Sequence, residues 1–205
     1  MCRKQAFTMI ELLIALGVCA IGTCSIMVLI PVGAGATRDA ALETYAAQAA
    51  EQLLNYLEYS ATLPADSWRQ TVGDDQTGAI TATKPADLEF TIANLNDSKI
   101  WGGTIADNVY QHSENQPVYL IISHRNDETI QLVNDSFQEK IDFRAILAVW
   151  KEQISVNGSD IGYGTAVRLN VEVSWPAEIP YAHRQKALYC LEVFNPNAQN
   201  EEEGP

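Results

Sequence analysis

A single carboxylate, Glu11, interrupts an otherwise uncharged apolar run from Phe7 to Val32, and Arg3 and Lys4 stand just ahead of that run. This is the arrangement in the chain whose residue types and spacing most clearly call for chemistry. Burying an ionised carboxylate without a partner is expensive, and charges inside membranes are as a rule paired. Two partners suit the spacing. In the first helical turn a carboxylate complements the positive end of the helix dipole. A cut ahead of Phe7 would also create an amine one turn from Glu11, able to meet that carboxylate or the Glu11 of a packed neighbour. A Glu that snorkels to the headgroups at the edge of the segment is the simpler alternative.

Elsewhere the reactive residues are dispersed. His112, His124 and His183 lie far apart, two of them beside turn residues, and are expected in solvent. Asp74-Asp75 between Gly73 and Gly78, and Asn157-Gly158-Ser159-Asp160, could offer oxygens to calcium. Calcium takes about six to eight oxygens and neither run matches an EF-hand loop, so both are read as turns. Cys2 precedes the apolar run, Cys19 and Cys24 lie within it, and Cys190 sits in the strand-like Leu188–Val193, where a buried thiol is expected. This is not the even loop-placed set of a disulfide framework, and no CxxC or Cys/His metal spacing occurs. No P-loop, Gly-x-Ser-x-Gly, His-Glu-x-x-His or dinucleotide fingerprint is present. The expectation is therefore a non-enzyme with no catalytic residues, cofactor or metal.

The element that must position Glu11 is a helix. The 26 positions from Phe7 to Val32, at about 1.5 Å rise each, exceed the roughly 30 Å of a bilayer core. Arg3 and Lys4 should hold the N-terminus in the cytoplasm, with the rest of the chain across the membrane. A secretory signal ending near Ala34-Gly35-Ala36 competes, but its apolar region is shorter and it leaves Glu11 unexplained.

The short basic leader followed by Ala6-Phe7-Thr8-Met9-Ile10-Glu11-Leu12 resembles the class III signal of type IV prepilins and type II secretion pseudopilins. The resemblance covers about residues 3–30. It implies a prepilin peptidase that cuts between Ala6 and Phe7, N-methylation of Phe7, and an assembly role for Glu11. Two positions depart from the family's usual pattern: the residue before the cut is usually Gly, and the Pro of many relatives would fall at Val28 rather than at Pro31. The implied partners are the prepilin peptidase, the inner membrane, and other pilins or pseudopilins met through the N-terminal helix.

Composition fits a membrane helix plus one domain. The 205 residues carry a formal charge of −13, and without Arg3 and Lys4 the remainder sums to −15. That balance argues against binding nucleic-acid backbone, which draws on Lys and Arg. Pro31, Gly33 and Gly35 should bend or locally unwind the helix around residues 31–35. Beyond them Leu42, Ala46, Ala49, Leu53, Leu57 and Ala61 recur at helical spacing, so one spine helix runs from Phe7 to about Thr62. Leu63-Pro64 ends it.

Residues 66–116 read mostly as irregular connections, with Trp101-Gly102-Gly103 as loop and Leu88–Ile92 as a strand. From Pro117 the pattern is all-β. Val118–Ser123 and Thr129–Val133 flank a hairpin loop, and alternating strands follow at 141–149, 167–175 and 188–194. Polar on one face and apolar on the other, they suit an antiparallel sheet with one face on the spine. Periodicity alone gives the class α+β; the resemblance implies a type IV pilin-like fold, a long N-terminal helix on an antiparallel sheet. Its divisions would be a leader at 1–6, a transmembrane half of the helix at 7–32, an amphipathic half at 33–63, and a β-rich domain with an acidic tail at 64–205.

These expectations describe a minor pilin or pseudopilin that enters a filament through its helix after cleavage. The alternative is a monomeric, single-pass anchored domain that binds something outside the cytoplasm.

Overall fold

A computed structural model describes residues 8–63, 67–74, 77–86, 88, 101–106, 108–113, 117–124 and 141–198. The chain divides into two units, Met1–Thr44 and Tyr45–Pro205. Helix α1 covers Met9–Thr62, 54 residues, with Pro31 inside it. The unwinding expected at residues 31–35 does not occur, since all five positions are helical. Pro31 removes one backbone donor only, and Thr37 Oγ1 turns back to donate to the Gly33 carbonyl at 2.9 Å.

In the second unit the helix buries Ala46, Ala49, Ala50, Leu53, Leu54, Leu57 and Ala61, one stripe at spacings of three and four. Each leucine contributes roughly 1.5–3 kcal/mol by leaving water, while the alanines let the helix approach its neighbours closely. The stripe faces a sheet: the Tyr45 ring lies 5.9 Å from that of Phe143. Tyr56 comes close enough to Tyr119 to perturb its phenol electrostatically. A short helix α2, Ser67–Thr71, follows and buries Trp68, whose indole donates to the Tyr163 carbonyl at 2.8 Å.

The main sheet contains β1 (Trp101–Ala106), β2 (Val109–His112), β3 (Val118–His124), β4 (Ile141–Glu152), β7 (Ala166–Trp175) and β8 (Gln185–Phe194). They lie in the order β1-β2-β3-β4-β7-β8, every neighbouring pair antiparallel. A separate hairpin pairs β5 (Ile154–Val156) with β6 (Ser159–Ile161) across Asn157-Gly158, both at positive φ. That Asn-Gly pair is the turn chemistry a two-residue hairpin requires. The architecture is the α+β arrangement expected, a long N-terminal helix with an antiparallel sheet.

Several local expectations are corrected. Trp101-Gly102-Gly103 is strand, not loop: β1 pairs with β2 across a connection where Asn108 sits at φ 72°. Its glycines lie on a sheet edge among the described residues, where little side-chain packing is required. Of the strand expected at Leu88–Ile92, only Leu88 falls within the described residues, where it is buried outside any strand. Thr129–Val133 and the acidic tail lie outside them. On the side of β3 away from β2 the described neighbour is β4, in the register Tyr119↔Leu147.

Nor is the sheet apolar on one face alone. Leu147, Val149, Val171 and Val173 fill the face that β4 and β7 share with Tyr119 and Phe143. On the other face Leu88, Val118, Leu120, Ile146, Ala148 and Ala177 form a second buried cluster. The segment 176–184 covers it, held by buried Arg184, whose guanidinium donates to the carbonyls of Ile179, Leu88 and Ala177 at 2.8, 3.1 and 3.2 Å.

Cys190 is exposed rather than buried. In β8 both alternations look apolar, so sequence leaves the inward parity undecided. Tyr189 pairs with Val171 and Leu191 with Leu169, while Cys190 pairs with Asn170 on the opposite face, beside Leu188, which is 61% exposed.

Candidate functional site

The apolar half of α1 has no covering within its own unit. Fourteen Met, Ile, Leu and Val side chains between Met9 and Val32 are each more than half exposed, on every side of the helix. The helix is long and apolar enough to cross a membrane. At about −0.3 to −0.6 kcal/mol per such residue, the fourteen favour insertion by roughly 4–8 kcal/mol. A charge at the helix centre opposes it by about 3 kcal/mol. Glu11, near one end, costs less than that, so insertion tolerates it. The hydroxyls in the segment are self-satisfied, Thr23 donating to the Cys19 carbonyl and Ser25 to that of Ile21, both at 2.9 Å.

Glu11 has partners in its own chain. Thr8 precedes the helix, and both its backbone N–H and its Oγ1 donate to Glu11 Oε2, at 3.1 and 3.0 Å. In return the Glu11 N–H donates to Thr8 Oγ1 at 3.4 Å. This is a capping box: Thr at the cap and Glu three residues on satisfy each other's orphan donors. Thr8-x-x-Glu11 was readable in the sequence as the Thr-x-x-Glu signature, yet attention to the charge alone left Thr8 out. Both side-chain bonds fall on Oε2, leaving Oε1 without a partner among the described residues. Ala6 and Phe7, like Arg3 and Lys4, lie outside the described residues, so the geometry reaches the helix start but not the expected cut.

The other candidates disperse. His183 is exposed and His112 half-buried, on different elements. Among the described residues no three His, Cys, Asp or Glu side chains gather as a metal site would need. Asp74 Oδ1 accepts from the N–H and hydroxyl of Thr77, both at 2.8 Å, and Asp160 accepts from Ser155 across the β5–β6 hairpin. Among the described residues, Lys84, Glu172 and Tyr181 form a polar cluster. Lys84 Nζ lies 2.6 Å from Glu172 Oε2 and 2.7 Å from the Tyr181 hydroxyl, which itself donates to Glu172 Oε1 at 2.5 Å. Burial pulls the Lys84 pKa down, but the bonds to Glu172 and Tyr181 outweigh it and hold the ammonium above its ordinary value. A closed ring of three satisfied groups pins residue 84 to the sheet and offers no free nucleophile or base.

A family profile described as the prokaryotic N-terminal methylation motif matches residues 1–23. No curated protein and no solved structure matches the chain. The matched residues contain Thr8 and Glu11 and run into the naked apolar helix, so the chain carries a prepilin-type N-terminal signal for cleavage and methylation.

Proposed function

We propose that the protein is a minor pilin or pseudopilin, a structural subunit that joins a type IV pilus-like or type II secretion filament through α1. A prepilin peptidase cuts between Ala6 and Phe7, Phe7 is N-methylated, and the helix stays in the inner membrane with residues 64–205 outside the cytoplasm. The step that follows is assembly, not catalysis. The apolar halves of neighbouring helices bundle, and the Glu11 carboxylate exchanges Thr8 for the Phe7 amine of an adjacent subunit. A charge pair in an apolar bundle is costly when mismatched by one step, which lets it specify register.

One observation carries this reading: a signal-bearing helix exposes apolar side chains all round and holds a single carboxylate at its start. An anchor alone needs the apolar surface but not the charge. The test is intact-mass measurement of the protein extracted from cells with an active prepilin peptidase. The expected mass lacks residues 1–6 and includes one added methyl group. A chain that retains residues 1–6 refutes the proposal and leaves a tethered domain.

A further inference from the structure

Lys151 lies in β4 and is only 1% exposed, the largest fully buried side chain in the described protein. Its ammonium donates to three backbone carbonyls of one loop, those of Val72, Asp74 and Thr77, the last at 3.1 Å. The Tyr163 ring covers it, centroid 5.0 Å from Nζ. An ammonium has three donors and no acceptor, so it can serve each of the three carbonyls.

The loop is shaped for this convergence. Gly73 and Gly78 sit at φ 61° and 95°, which side chains rarely adopt. A Cβ at Gly73 would run into the Thr77 carbonyl, and one at Gly78 into that of Val72. The Asp74–Thr77 hydrogen bonds close the turn from within. On either side Ala79 N–H donates to the Gln70 carbonyl at 2.9 Å, and Lys151 N–H to that of Thr81 at 2.9 Å. Three carbonyl dipoles aimed at one buried point repel one another unless a cation stands there.

We infer that the carbonyls of Val72, Asp74 and Thr77 form a cation site whose cation is supplied covalently by Lys151, and that removing this side chain leaves a site for a small monovalent cation of ammonium type. The loop thereby ties the chain that follows the spine helix to the centre of the sheet without drawing on dissolved metal. This inference is independent of cleavage, methylation and filament entry.

The test uses the full chain extracted in detergent and its thermal midpoint. Lys151→Ala is expected to lower Tm by about 10 °C. Methylammonium chloride should recover at least half of that loss in the variant and leave the wild type unchanged. Tetramethylammonium, bulkier and without N–H donors, should recover none. A variant that melts with the wild type, or that responds equally to both salts, overturns the inference. Should the variant fail to fold, pulse acylation of the wild type decides: Lys151 is expected to stay unmodified while exposed Lys186 reacts. Equal labelling of the two lysines overturns it.

Discussion

Glu11 caps its own helix, and under the proposed function it also meets a neighbour's amine; two substitutions divide these duties. Thr8→Val removes the hydroxyl that donates to Glu11 Oε2 and accepts from the Glu11 N–H, while keeping the carboxylate. Loss of a cap costs about 1 kcal/mol, and the Thr8 backbone N–H still reaches Oε2, so the effect on helix start is at most about fivefold. Glu11→Gln keeps an acceptor for Thr8 but removes the charge. If a neighbour's Phe7 amine is to be buried against residue 11, it then lies unpaired in an apolar bundle. Breaking a buried pair this way costs about 3–5 kcal/mol, or roughly a hundredfold to several thousandfold in the assembly equilibrium. Both variants should insert, because the fourteen exposed apolar side chains decide insertion. The assay is the fraction of each variant recovered in sheared filaments against the fraction in membranes, with intact mass to confirm equal processing. Glu11→Gln should nearly vanish from filaments and Thr8→Val should remain. Equal loss in both would make capping the whole role of Glu11 and refute the register argument.

Two further outcomes follow from the domain. Burial, with a smaller contribution from Tyr56, pushes the Tyr119 phenol up to about 12 from an ordinary value of 10.0. The folded state therefore holds a proton that the unfolded state loses between those values. Stability is intact below pH 10 and falls as pH rises towards 12, by roughly 3 kcal/mol; alkaline denaturation of Tyr119→Phe should lack that slope, and an unchanged profile would refute the assignment. Cys190, exposed on β8, should react with a maleimide in the folded protein, and protection until unfolding would return it to the core.

The anchor and the spine were legible because long periodic segments carry their own signal: Ala46, Leu53, Leu57 and Ala61 fall on the buried stripe that their spacing indicates. β7 was legible for the same reason, its alternation setting Val167, Leu169, Val171 and Val173 on one face. The rest depended on distant partners. β1 contains Gly102-Gly103 and is a strand only because β2 lies beside it. The parity of β8 is fixed by Val171 and Leu169 across the ladder, not by its own residues. Lys151 lay beyond the strand expected at 141–149 and carried no signal of its own, since the carbonyls around it lie more than seventy residues earlier. At the helix start the Thr8–Glu11 box was local and visible, whereas the expected cut between Ala6 and Phe7 lies outside the described residues.

The sheet order has a consequence for biogenesis. β7 is buried on both faces and takes its second ladder from β8, from Trp175↔Gln185 to Ala166↔Phe194. Ribosomes deliver the chain from its N-terminus, so this flank of the sheet stays unzipped until β8 emerges. A nascent chain stalled short of residue 193 holds Ala166 and Val167 without their cross-strand mates. The sheet therefore closes only once β8 has been made, after the greasy helix has long been available to the membrane.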